Sequence, residues 1–130
     1  MGAKIAKDYL LKLRKECLAD DVYDAILSHR FSKGVNPVTT EAKILQDADA
    51  LDALGAIGLY RTIAHSVEHN KNMETSIEHF YQKLFLLPNR MHFKITKKMA
   101  KERIKIMRMY VKEIERERQN IANVRKELLN

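Results

Sequence analysis

The stretch "QDADALDALGAIG", residues 46–58, sets three aspartates in a segment whose other residues are typical of a buried helix. A carboxylate is costly to bury without a partner, so Asp47, Asp49 and Asp52 must each face water, a cation or a hydrogen-bond donor. The environment of these three acids is the main question that the sequence raises about both fold and function.

A helical projection of residues 44–63, at about 100° per residue, gives two neighbouring stripes. One contains Ile44, Ala48, Leu51, Gly55 and Gly58, and the other contains Leu45, Asp49, Asp52, Ala56, Leu59 and Ile63. Both stripes are apolar except for Asp49 and Asp52, which predicts a helix buried over a wide arc, with these acids one turn apart. Asp47 lies on another side, near the edge of the first stripe. The small side chains of Gly55, Ala56 and Gly58 predict the close approach of another helix.

Two interpretations of the acids stay open at this point. A salt bridge, a backbone cap or exposure at the edge of the helix would satisfy them. Alternatively, Asp49 binds a divalent cation, with Asp52 or Asp47 supporting it or acting as a base. Because one metal ion takes about four to six ligands, histidines from other helices would have to contribute. His29 is the best candidate, since it ends a predicted helix beside a loop, where clefts often form.

The spacing of apolar residues predicts five helices and no strand, which indicates an all-α fold. The predicted helices cover residues 3–18, Asp20 or Asp21 to about 30, 40–68, 74–86, and 92 to near the end. Thr39 or Thr40 is expected to cap the third helix. "FSKGVNPVT" (31–39) is expected to be an ordered loop, "HNKN" (69–72) a break and "LPNR" (87–90) a turn.

The composition limits the class of protein. A chain of 130 residues with 45% apolar and 32% charged residues is typical of one soluble helical domain. The single cysteine, Cys17, cannot form an internal disulfide, which favours a reducing compartment and hence a cytoplasmic location. No apolar run approaches the roughly 20 residues of a membrane span, and the start lacks a signal-peptide pattern. We therefore expect no membrane partner.

The net charge of +7 is confined to the C-terminal segment. Residues 1–93 contain 12 basic and 12 acidic residues, whereas residues 94–130 contain 12 basic and 5 acidic ones. Apolar residues in the last helix recur at coiled-coil spacing, interrupted by Arg118 and Arg125. This predicts a terminal helix that packs its first half on the domain and projects a solvated second half. A helical dimer contact and a nucleic-acid patch are the alternatives, although no aromatic residue follows Tyr110 to stack on bases.

The run "ILSHRFSKGVNPVTTEAKILQDADALDALGAIGLYRT", residues 26–62, resembles the HD-domain phosphohydrolase superfamily. It is most similar to a bacterial and archaeal branch that shares I-x-x-H-x-F-S and Q-D-A-D-R-L-D-A. The segments "IEHFYQKLFLLPNRM" (77–91) and "AKERIKIMRMYVKEIERE" (100–117) are also similar to that branch. The resemblance implies an HD-domain-like helical domain over residues 1–117, with a long basic C-terminal helix whose residues 118–130 form an extension.

What the resemblance implies for function is metal-dependent hydrolysis of phosphate esters, often of nucleotides. Family members bind a divalent ion (Mn, Fe, Ni, Co or Mg) through an early His, a His-Asp pair and a later Asp. Asp49 matches the later Asp and would be a metal ligand. His29 would lie near the substrate phosphate, in a catalytic and substrate-binding role. Asp52 and Asp47 would orient ligands or a basic partner, Asp52 as a catalytic residue and Asp47 as a substrate-binding one.

Two positions depart from the branch. Ala50 stands where the branch has Arg, and the chain contains no His-Asp dipeptide. The resemblance implies that the early His and the His-Asp pair would lie upstream of residue 1, which makes the chain an N-terminally truncated HD-domain-like bundle with one of four expected ligands. We therefore expect a phosphohydrolase-like protein without a normal active site. The alternative is a non-catalytic helical module that binds a partner, and bare apolar surface predicts a homo-oligomer.

Overall fold

A computed structural model describes residues 1–129. These residues form an all-α fold with no strand, as predicted. The helices are α1 (Gly2–Lys12), α2 (Glu16–Ser28), α3 (Thr40–Asp52), α4 (Gly55–Glu68), α5 (Met73–Gln82), α6 (Leu87–Arg90) and α7 (Lys94–Leu128). Short 3₁₀ turns cover Phe31–Lys33 and Leu84–Leu86. Within the described range, no helix is both long and apolar enough to cross a membrane.

The first two helices form a hairpin, so the prediction of one helix over residues 3–18 is wrong. Arg14 has φ 55°, the left-handed conformation, and ends α1. The Lys15 N–H donates to Leu10 O and the Arg14 N–H donates to Leu11 O, both at 3.0 Å, which is the Schellman arrangement. This position usually holds glycine, and here it holds arginine, so the break carries no local signal in the sequence. Helix α2 begins at Glu16, not at Asp20 or Asp21.

The predicted helix over residues 40–68 is two helices joined by a sharp corner. Gly55 has φ +84°, which L side chains rarely adopt. A Cβ on Gly58 would lie 2.3 Å from Ala53 O, so only glycine permits this approach. The small residues therefore serve a turn of their own chain, and the prediction that they admit a neighbouring helix is wrong for Gly58.

Helix starts follow the local capping signals more closely. The hydroxyl of Thr39 accepts from the Ala42 N–H at 3.1 Å, which confirms the predicted cap of α3. The side chain of Asn72 accepts from the Thr75 N–H at 2.8 Å at the start of α5. Helix α5 ends at Gln82 and not at residue 86, and "LPNR" forms the single-turn helix α6, where a turn was expected.

The core lies where α3, α5 and α6 meet the first half of α7. Its buried members are Ala50, Leu51, Leu54, Phe80, Leu84, Phe85, Leu87, Met91, Ala100, Ile104, Met107 and Val111. Val111 is the last buried residue of α7, and Leu128, near its end, is 80% exposed. Within one chain, the terminal helix therefore packs its first half on the domain and its second half extends beyond the core, as predicted.

Candidate functional site

Asp47 is completely buried and holds the start of α7. Its carboxylate accepts the backbone N–H of His92 at 3.0 Å and that of Phe93 at 3.2 Å. The hydroxyl of Thr96 also donates to it at 2.5 Å. Phe93 precedes the first residue of α7 and has no capping side chain of its own, so Asp47 supplies a negative charge to the positive end of that helix.

Gln46, beside Asp47, is also buried and joins the end of α2 to the same place. Its Nε2 donates to Ser28 O at 2.6 Å, at the C-terminus of α2. Its Oε1 lies 2.6 Å from Nε2 of His92. Because an amide oxygen can only accept, the His92 ring N–H donates to it. The pair Gln46–Asp47 therefore fixes α2, α3 and the start of α7 relative to one another.

The burial of the three aspartates differs from what the helical projection predicted. Asp47, placed near the edge of a stripe, is the buried acid, whereas Asp49 and Asp52 are exposed. Ile44 and Leu45, at the start of the two stripes, are 55% and 41% exposed. The prediction of a helix buried over a wide arc is therefore wrong, because α3 buries a narrower face that includes Ala42, Gln46, Asp47, Ala50 and Leu51.

Asp49 and Asp52 border a cleft of about 550 Å³ between α3, α4 and α5. The cleft is rich in basic side chains: Arg30, Arg61, Lys71, Lys83, His65 and His79. Four cations against two carboxylates leave a net charge of +2 when the histidines are neutral. A cleft with this surplus favours anionic ligands, because its low-dielectric walls strengthen the field of the cations.

Asp52 forms an ion pair with Arg61 of α4 across the corner. Their side chains are 65% and 58% exposed, so the pair contributes little to stability. The prediction that Asp52 orients a ligand or a basic partner stays a prediction. The catalytic role of Asp52 stays a prediction.

His29 ends α2 and its Nδ1 lies 2.6 Å from Ile26 O, to which it donates. It is not among the residues that line the cleft, whereas the next residue, Arg30, is. The catalytic and substrate-binding roles of His29 stay predictions, as does the substrate-binding role of Asp47. All of the contacts of Asp47 described above are to protein donors.

The metal role of Asp49 depends on further ligands. A divalent metal site takes about four to six ligands. Among residues 1–129, no group of three or more His, Cys, Asp or Glu side chains is placed to hold a metal ion. The described residues therefore do not fit a complete divalent metal centre, and Asp49 as a ligand stays a prediction.

Sequence reasoning missed most of the basic residues of the cleft. The patterns described above assign no role to His65, His79 or the lysines and arginines of the cleft. One signal was available for part of the set: Arg61 and His65 are four residues apart, hence on one face of α4. Lys71 and Lys83 lie outside α4 and reach the cleft only through the packing of α5 against α4.

His79 reports on this cationic environment. Partial burial lowers the pKa of His79 below its ordinary value of 6.5, and the charges of Lys83, Lys71 and His65 lower it further. We expect an NMR titration of the His79 ring to give a midpoint below 6.5, and the midpoint to rise in Lys83→Ala because a repelling charge is removed. A midpoint at or above 6.5 in the unmodified protein would contradict this description of the cleft.

A family model and a similar protein both relate this chain to HD-domain proteins or to a relative of known structure. The family model of the HD domain matches residues 1–54. The uncharacterized protein YpgQ of Bacillus subtilis is 31% identical over 85 residues, which are 62% of this chain and 42% of YpgQ. The chain thus spans less than half of the length of YpgQ in this alignment.

Solved structures share the helical arrangement. The crystal structure of YpgQ has a TM-score of 0.75 at 25% identity, over 90% of this chain and 64% of that one. The structure of YpgQ in complex with ADP gives 0.74 at 26% identity, over 90% and 62%. An HD-superfamily hydrolase from Bacillus thuringiensis gives 0.68 at 31% identity, over 91% and 63%. The HD-domain family model over residues 1–54 and these shared structures support membership of the HD-domain superfamily.

Proposed function

We propose that the protein binds the phosphate groups of a nucleotide or another phosphate ester in the cleft beside Asp49, as part of a phosphohydrolase-like function. The observation that carries this proposal is the surplus of cationic side chains around the cleft. Arg30, Lys71 and Lys83 are exposed and make no ion pair among the described residues, so their charges are available to an anion.

Membership of the HD-domain superfamily supports the hydrolytic part of the proposal. One similar structure is that of an HD-superfamily hydrolase, and another is that of YpgQ in complex with ADP. A divalent metal would supply Lewis-acid activation of water for hydrolysis. Among the described residues only Asp49 is our candidate ligand, so catalysis requires ligands from elsewhere, whereas anion binding needs only the cations of the cleft.

Calorimetric titration of the full chain with ADP tests the binding. Lys83→Ala and Lys71→Ala should each weaken the affinity about tenfold, because each removes one charge-assisted contact to a phosphate. Both side chains are exposed, so these substitutions should leave the fold intact, which circular dichroism can verify. The affinity should also fall as salt is added, since the contacts are ionic.

The matched control is Lys12→Ala, which removes the same charge from an exposed position of α1 outside the cleft. It should leave the ADP affinity within about twofold of the unmodified protein, because a distant surface charge is largely screened. Equal losses in Lys12→Ala and Lys83→Ala would show nonspecific attraction to a basic protein, and the proposed site would be wrong.

A further inference from the structure

The second half of α7 has few contacts with the rest of the molecule. We call residues 113–128 the arm. Two hydrogen bonds join it to α5, from the Tyr81 hydroxyl to Glu115 at 3.0 Å and from Arg118 to Glu74 at 2.6 Å. Beyond Arg118, no described residue of the arm bonds another element. Most helical stability in proteins comes from packing of an apolar face, so a partner that covers the arm would stabilise this end of α7.

Apolar side chains continue along one side of α7, from the domain into the arm. We call them the α7 stripe: Met99, Ile106, Tyr110, Ile121, Val124 and Leu128. Their separations are sums of 3 and 4 residues, the spacing of a helix-pairing seam. Five of the six are 41% to 80% exposed, and the sixth, Tyr110, is half-buried. The stripe is rotated by about 100° from the row that packs on the core, so it faces outward.

The exposed surface exceeds that of an ordinary monomer. A folded monomer of 15.2 kDa is expected to expose about 7,100 Å². The structure exposes 9640 Å². The difference of about 2,500 Å² is larger than the ~800 Å² that each partner contributes to a stable interface. There is therefore sufficient surface on this chain for a stable contact with another molecule.

The charges of α7 decide between two orientations of a helix pair. Residues 94–112 contain 8 basic and 1 acidic residue, a net charge of +7, whereas residues 113–130 contain 4 of each and are neutral. A parallel pair of identical helices would place two +7 segments side by side. An antiparallel pair places each +7 segment beside a neutral segment, which avoids the repulsion between like charges.

One antiparallel register pairs four of the six residues of the α7 stripe with one another. With the two-fold axis between residues 113 and 114, Met99 lies opposite Leu128 and Ile106 lies opposite Ile121 of the second copy. In the same register Tyr110 lies opposite Glu117, a carboxylate that can accept from the tyrosine hydroxyl. Val124 lies opposite Arg103 of the second copy, and Arg103 donates to Leu51 O at 2.6 Å within its own chain.

We propose that two copies of this chain pair antiparallel through α7, each arm covering the α7 stripe on the first half of the other copy's helix. The contact is isologous, with the same patch used on both copies, as in most two-fold dimers. It is independent of the cleft and of the proposed function. This orientation keeps the two basic halves of α7 apart.

Sedimentation equilibrium of the full chain tests the pairing. The unmodified protein should have about twice the mass of 15.2 kDa, and the double variant Ile121→Glu, Leu128→Glu should have the monomer mass. Both positions are exposed, at 59% and 80%, so the substitutions leave the core untouched. The matched control is Gln119→Glu with Asn123→Glu, which adds the same charge on the other side of the arm and should remain dimeric.

Disulfide cross-linking in a Cys17→Ser background tests the orientation. Ile106→Cys and Ile121→Cys should each fail to cross-link alone and should cross-link when mixed. Self-cross-linking of Ile121→Cys would indicate a parallel pair and overturn the proposal. A monomeric unmodified protein would overturn it too, and salt-sensitive binding of duplex DNA by that monomer would assign the basic half of α7 to nucleic acid instead.

Discussion

Replacing Asp47 with alanine is expected to lower the free energy of unfolding by about 3–5 kcal/mol, a large part of the total for one domain. The substitution leaves the part-buried N–H groups of His92 and Phe93 without their acceptor, and the hydroxyl of Thr96 keeps only Phe93 O as an acceptor. Hydrogen bonds to a charged group are each worth about 1.5–3 kcal/mol, and loss of a helix cap costs about 0.5–2 kcal/mol, with incomplete additivity. Urea denaturation measures the effect directly.

The neighbouring acid provides the control for Asp47. Asp49→Ala removes the same carboxylate from an exposed position two residues along α3 and should change the unfolding free energy by less than about 0.5 kcal/mol. In a thermal melt, Asp47→Ala should lower Tm by roughly 10–20 °C. Comparable stability of the two variants would show that Asp47 does not hold the start of α7, and would return it to the candidates for substrate binding.

Replacing Gly58 with alanine is expected to destabilise the fold by about 2–4 kcal/mol, although alanine is the better helix former. Helix propensity alone would favour the substitution by up to about 1 kcal/mol. The added Cβ would lie 2.3 Å from Ala53 O, and the contact is with backbone, which cannot move aside as a flexible side chain could. The corner between α3 and α4 would have to open, which would also disturb the Asp52–Arg61 pair.

Two other glycines calibrate this effect in the same denaturation experiment. Gly2→Ala meets nothing within 4 Å and should be neutral or slightly stabilising. Gly55→Ala should cost about 1–2 kcal/mol, because its φ of +84° is strained for alanine while the nearest atom, Arg103 Cγ, is 3.4 Å away and mobile. If Gly58→Ala were no more destabilising than Gly2→Ala, the described corner would be wrong.

The sequence by itself was sufficient for the all-α class, the cap at Thr39 and the projecting end of the last helix, because each depends on neighbours along the chain. The spacing of apolar residues is a property of one helix, and a cap forms within three residues. The resemblance to the HD-domain superfamily was also visible in residues 26–62, and the family model of the HD domain matches residues 1–54. The break at Arg14 was not visible, since any local signal would have been a glycine.

Tertiary structure alone decided which acid is buried and which residues form the cleft. Asp47 meets His92, 45 residues away, so its burial depends on where α7 begins in space and not on the face that Asp47 occupies in a helical projection. The cations at Lys71 and Lys83 reach the cleft through the packing of α5 on α4, which no local period encodes. A pattern within one helix determines which residues share a face; the partners of that face are determined only when distant segments pack together.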